Sequence, residues 1–169
     1  MKTKEIQSKF RTDISKIIGC KEQQIEIKVY ENSSGVQYTL EEFFNQYNPE
    51  EIGKGQCNLI FKVDYNKLTI VTFDLKDMYN CCGIIVGSNL LVSKNFRNKG
   101  IGSIATKFMS DFSSYYGYGV LQGADKKNNE YQVKIFEKQG WLKSLEFINA
   151  KTGNTLNIWL LNLNENESK

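Results

Sequence analysis

Apolar residues recur along this chain at two spacings, and the changes between them mark out its elements. Ile6, Phe10, Ile14, Ile17 and Ile18 fall at helical intervals, and Gly19 closes that stretch. Ile25, Ile27 and Val29 alternate with polar residues, a strand pattern ended by Asn32-Ser33-Ser34-Gly35. Thr39 with Glu42 three positions on forms a capping box for a short helix over 40–47, and Pro49 stops it. Two β-rich runs, 57–63 and 68–73, flank Asp64-Tyr65-Asn66-Lys67 as a hairpin, with 74–80 a polar connection. The apolar run Ile84–Val92 is the next strand. Ile104, Phe108, Met109 and Phe112 set a helix over 103–116, followed by a strand at 120–124 and a helix over 128–138 that Gly140 caps. Runs at 141–148 and 155–163 form a second hairpin, and 164–169 is a polar tail expected to be disordered.

This order predicts a mixed α/β (α+β) architecture, a mostly antiparallel sheet with one strand–helix–strand crossover in its second half. No repeat, low-complexity tract or linker interrupts 1–163, which reads as a single domain. A chain of 169 residues is long enough to bury one sizeable core.

Charge and composition narrow the function. A net charge of +3 with pI near 8.5 is compatible with an acidic ligand but lacks the dense basic stripe of a dedicated nucleic-acid binder. No apolar run approaches the ~18 residues of a membrane span, and 1–5 lead into an amphipathic segment rather than a secretory signal, so a cytoplasmic protein is expected. There is no histidine, which removes the commonest metal ligand and general base, and no metal is expected. Cys20, Cys57, Cys81 and Cys82 make no C-x-x-C pair and read as reduced, mostly buried thiols. Cys–His and Ser–His nucleophiles are excluded.

The stretch Arg97-Asn98-Lys99-Gly100-Ile101-Gly102-Ser103 lies between a strand and a helix. Glycines let a backbone turn its N–H groups inward, and the following helix start adds unpaired donors and the positive end of its dipole. That is a place for a pyrophosphate.

A second segment, Asn129 to Trp141, completes a pattern that resembles the GNAT superfamily of N-acetyltransferases. Its signature is L-x-V, a short loop, R/Q-x-x-G-x-G/A, then N-x-x-A-x-x-L-Y-x-K-x-G-F. Here Leu90-Leu91-Val92, Arg97, Gly100 and Gly102 supply the first part; Asn129, Lys138 and Gly140 keep the second, with Ile135 for Leu and Trp141 for Phe. The resemblance spans about 57–163, while 1–56 carries no signature. It implies the GNAT fold, with a central splayed parallel strand pair flanked by helices, and transfer of an acetyl group from acetyl-CoA to a primary amine by direct attack. It also implies that Leu90, Leu91 and Val92 meet the pantetheine arm, that Arg97, Asn98, Lys99, Gly100, Ile101, Gly102 and Ser103 hold the diphosphate, and that Asn129 and Phe136 lie along the arm. Lys99 reads equally as a solvated residue, and Asn129 as a helix cap. Homodimers are common among such proteins.

The chain departs from the pattern where the family often carries a tyrosine acid, because that position is Phe136. Tyr131 or Tyr118 could replace it, the thiolate could leave unaided, or the protein could bind the coenzyme without turnover. The strand 84–92 has no carboxylate, leaving Asp125, Asp74 and Asp77 as candidate bases. A non-catalytic coenzyme-binding or assembly module and a GNAT protein acting on tRNA or other nucleic acid are the competing readings.

Overall fold

The computed structural model describes residues 3–49, 57–78 and 83–164. Its helices are α1 (Thr3–Ile18), α2 (Leu40–Gln46), α3 (Ile101–Tyr115) and α4 (Glu130–Lys138). Its strands are β1 (Ile25–Glu31), β2 (Gln37–Thr39), β3 (Asn58–Tyr65), β4 (Leu68–Asp77), β5 (Ile84–Val92), β6 (Val120–Lys126), β7 (Leu142–Ile148) and β8 (Thr155–Asn162). They form one sheet in the order β2-β1-β3-β4-β5-β6-β8-β7, antiparallel throughout except for β5 and β6.

Several expected boundaries move. Residues 37–39, not expected as a strand, pair with Lys28 to Tyr30. The first hairpin turns on Asn66-Lys67 alone, both at positive φ (49° and 65°), the geometry of a two-residue turn that follows strand twist. β4 continues to Asp77, so 74–77 is not a connection. The alternation persists, with Leu75 buried between the polar Asp74 and Lys76. α3 begins at Ile101, two residues early, because Gly100 in the left-handed region (φ 89°) starts it without a side-chain cap. Asn80, Cys81 and Cys82 lie outside the described residues, as do residues 165–169 of the expected tail.

α1, α2 and α3 cover one face of β1, β3, β4 and β5 through an aromatic core. Ile6, Phe10 and Ile14 form the buried stripe of α1, and Phe10 stacks on Phe108 at 4.2 Å. Phe61 stacks on Phe73 at 4.9 Å across β3 and β4, and Phe112 of α3 meets both Phe61 and Phe43 of α2.

The site is positioned by the way β5 and β6 part. They pair only from Ile84↔Val120 to Val86↔Gln122. Beyond that, β5 is held by β4 alone and β6 by β8 alone. β5 is also bulged. Thr72 faces Leu91 but Asp74 faces Ser88, so Phe73 opposes both Asn89 and Leu90. Asn89 takes φ 52°, and its Nδ2 donates to Asp74 Oδ2 at 2.5 Å. Such a bulge bends and twists the strand locally.

Beside the gap, α4 packs on β6 and β8. Phe136 is buried against Trp141 (centroids 4.4 Å apart) and Trp159 (5.5 Å). This packing needs Gly123, where an added Cβ would stand 2.8 Å from Phe136 Cζ and 3.1 Å from Trp141 Cζ3. Asp125 is buried on the same strand. Asn157 Nδ2 donates to its Oδ1 at 2.8 Å, while Oδ2 has no partner among the described residues. Burial pushes this carboxyl above its usual 3.8, against the opposing pull of Asn157, Trp159 and Lys143.

Two outcomes follow from this corner. Gly123→Ala forces the aromatic pair to shift and lowers stability by about 1–3 kcal/mol, read as a lower denaturant midpoint at unchanged slope. Because the Asp125 pKa is raised by folding, its burial carries no charge penalty below the unfolded value of 3.8, and stability is lost as pH climbs through the folded value. Asp125→Asn is therefore expected to melt higher than the parent at pH 7, with the difference closing toward pH 4 in a thermal melting series.

Candidate functional site

A groove of about 600 Å³ runs between the end of β5, the loop into α3 and the near face of α4. Residues 90–92, Arg97, Asn98, 100–103 and Asn129 line it, so most of the positions marked for the cofactor come together. Lys99 and Phe136 do not. The Lys99 ammonium sits over the Phe96 ring, 5.6 Å from its centroid, and Phe136 is packed into the corner against Gly123. Lining residues not singled out as ligands are Phe96, Gln132, Lys134, Ile135 and Lys138. From α4, Tyr131, Lys134, Ile135 and Lys138 recur at three- and four-residue intervals, and that stripe was the available signal.

The loop geometry follows from two left-handed residues, Asn98 (φ 60°) and Gly100 (φ 89°), which turn successive amides the same way. Among the described residues, the backbone N–H groups of Asn98 and 100–103 meet no main-chain acceptor, while 97–98 form a turn; the first bond of α3 is from Ile104 N–H to Gly100 O at 3.1 Å. Asn98 to Gly100 are exposed and 101–103 open the helix, where amides lack intrahelical acceptors, so the cluster is free to meet a ligand with several acceptors. Arg97 Nε donates to Val92 O at 2.9 Å, tying the guanidinium to the end of β5. Arg97, Lys134 and Lys138 line the groove, and among the described residues no carboxylate does. Together with the positive end of α3 the groove favours an anion.

Asn129 both caps and lines. Its side chain accepts from Gln132 N–H at 3.4 Å while facing the groove. Gly102 has ordinary φ, and a Cβ there would touch the end of the Ile135 side chain at 3.4 Å without displacing backbone.

The catalytic candidates separate. Tyr131 lines the groove and is 71% exposed. Tyr118 does not reach it. That tyrosine is buried, its hydroxyl donates to Asp77 Oδ1, and burial raises its pKa, which makes it a poor proton donor. Asp77 is occupied on its other oxygen by Cys57 N–H at 2.6 Å. Asp125 also lies away from the groove, held by Asn157 in the β6–β8 corner. Asp74 remains at the bulge through Asn89. The Cys57 thiol is pushed up to about 12 by burial and then by Asp77, so it is not a nucleophile. No group of residues suited to a metal is present among those described.

No protein-family model matches the sequence, and no curated protein matches it. Solved structures do match the fold. The ribosomal-protein-S18-alanine N-acetyltransferase of Escherichia coli aligns over 82% of this chain and 94% of its own, with TM-score 0.59 at 12% identity. The IAA acetyltransferase of Bacillus cereus aligns over 62% and 77%, with TM-score 0.53 at 14% identity. An acetyltransferase from Bacillus anthracis in complex with acetyl coenzyme A aligns over 69% and 68%, with TM-score 0.55 at 18% identity. The parted parallel strands, the glycine turn on α3 and these likenesses agree: the chain has the GNAT fold.

Proposed function

We propose that the groove takes acetyl-CoA and that the protein transfers its acetyl group to a primary amine by direct attack. One observation carries this reading: the free main-chain amides that open α3, among the described residues, face a groove lined by Arg97, Lys134 and Lys138. In this reading those amides and Arg97 hold the diphosphate, and residues 90–92 hold the pantetheine arm. A main-chain N–H past the bulge donates to the thioester oxygen as charge builds there, a contribution of order 3 kcal/mol. The thioester supplies an activated acetyl group; the amine nitrogen bonds to its carbon, the carbon–sulfur bond breaks, and the amine proton departs. We assign that proton, through water, to Asp74, and protonation of the leaving thiolate to Tyr131. Positioning supplies the rest, which suits a chain without histidine.

Phe136 favours a second reading, a coenzyme-binding module without turnover, since no hydroxyl stands at that position. Release of free thiol from acetyl-CoA over a panel of amines separates the two, and tight coenzyme binding without thiol release would defeat the transferase reading. The cytoplasmic setting and the homodimer belong to the same proposal. All of β7 is exposed, with Leu142 at 71% and Leu145 at 55%, and sedimentation velocity tests that surface.

Gly102→Glu sets a carboxylate among the anion-facing amides and is expected to weaken coenzyme A at least about tenfold by calorimetry, with the far-ultraviolet dichroism unchanged. Tyr131→Phe is expected to lower kcat about tenfold while leaving coenzyme A affinity as it was, since an exposed phenol contributes to protonation rather than to the fold.

A further inference from the structure

We infer that Gln139 is a positioning residue for the diphosphate, acting through the hydroxyl of Ser103; this rests on the coenzyme reading of the groove. Gln139 follows α4, and its Nε2 donates to Ser103 O at 2.8 Å and to Ser103 Oγ at 3.1 Å, 36 residues back in the chain. Ser103 lies in the first turn of α3 and lines the groove.

The chemistry follows from the hydroxyl inventory. A serine oxygen has one proton to give and two lone pairs to receive. Gln139 occupies a lone pair, so the proton is left to donate outward. Elsewhere on α3 hydroxyls turn inward: Thr106 Oγ1 donates to Gly102 O at 2.9 Å and Ser113 Oγ to Met109 O at 2.6 Å, each four residues back. Ser103 has no such acceptor, because the residue four back, Lys99, precedes the helix. Among the described residues its hydroxyl donates to nothing. Receiving a bond from an amide also polarises the hydroxyl and makes it a better donor. The same amide nitrogen holds the Ser103 carbonyl, so one side chain fixes both the turn and the direction of its hydroxyl. Ser103 thereby adds a side-chain donor to the main-chain amides that open α3.

A double-mutant cycle tests this in the full chain, with coenzyme A and pantetheine, which lacks the diphosphate, as probes in calorimetry. Gln139→Leu and Ser103→Ala are each expected to weaken coenzyme A about tenfold. The double variant should lose no more than the worse single one, and pantetheine should bind all four proteins alike. A purely structural role would instead give additive losses, or equal losses for pantetheine, and either result overturns the inference. Should Gln139→Leu not fold, Gln139→Met keeps a similar volume without charge, removes the donor and must give the same non-additivity. Failure of the parent protein to bind coenzyme A would overturn this inference and the coenzyme reading together, whereas binding by the parent with an additive cycle removes only the role of Gln139.

Discussion

The parting of β5 from β6 after Val86 and Gln122 is the constraint on which the candidate site depends. A sheet normally satisfies both edges of every inner strand, and an inner strand that loses a neighbour leaves main-chain donors and acceptors in need of partners. Here the sheet stays intact on the far sides, where β4 holds β5 and β8 holds β6. The opening is therefore a fixed gap in a rigid layer rather than a frayed edge. The bulge at Asn89 and Leu90 bends β5 at that point, and Asn89 braces the bend through Asp74.

The loop beyond β5 continues the same logic. Two left-handed residues and a helix capped by glycine, rather than by a serine or aspartate side chain, leave the amides of 100–103 without acceptors among the described residues. A side-chain cap would satisfy a donor there at the expense of the ligand. Arg97, pinned to Val92 O, then places a charge at the mouth without occupying the amides. The fold thus gathers unsatisfied donors in one place and compensates with a core in which Phe10, Phe61, Phe73, Phe108 and Phe112 contact one another in several combinations.

How much of this could be read from residues alone depends on how local each cause is. β5, the glycine turn and the helix after it are announced by a continuous apolar run, two glycines and a helical stripe, all within 30 residues. The bulge is not: nothing in Ser88-Asn89-Leu90 marks it, because it exists only in the register against β4. β4 beyond Phe73 was hidden by Asp74 and Asp77, whose charges look like a loop until the alternation with Leu75 is seen in place. Asp125 reads as an accessible base in the sequence because an aspartate at the end of a strand is usually exposed. Its burial is set by Asn157, 32 residues away. Gln139 gave no signal at all, since its partner Ser103 lies on another element.

Phe136 shows why the missing hydroxyl is not an isolated change. The tip of its ring, Cζ, is the atom that approaches the open face of Gly123 most closely. A tyrosine hydroxyl would extend from that same carbon into the space beside the glycine, between Trp141 and Trp159. There it would crowd the two indole rings in the corner that also buries the Asp125 carboxyl. With Phe136 Cζ already at the open face of Gly123, that hydroxyl would be aimed at the sheet rather than at the groove. The packing of α4 on β6 and the loss of a hydroxyl at this position are thus one structural choice, and a proton donor for the leaving thiolate has to come from a residue on the groove side of the same helix, the side that carries Tyr131.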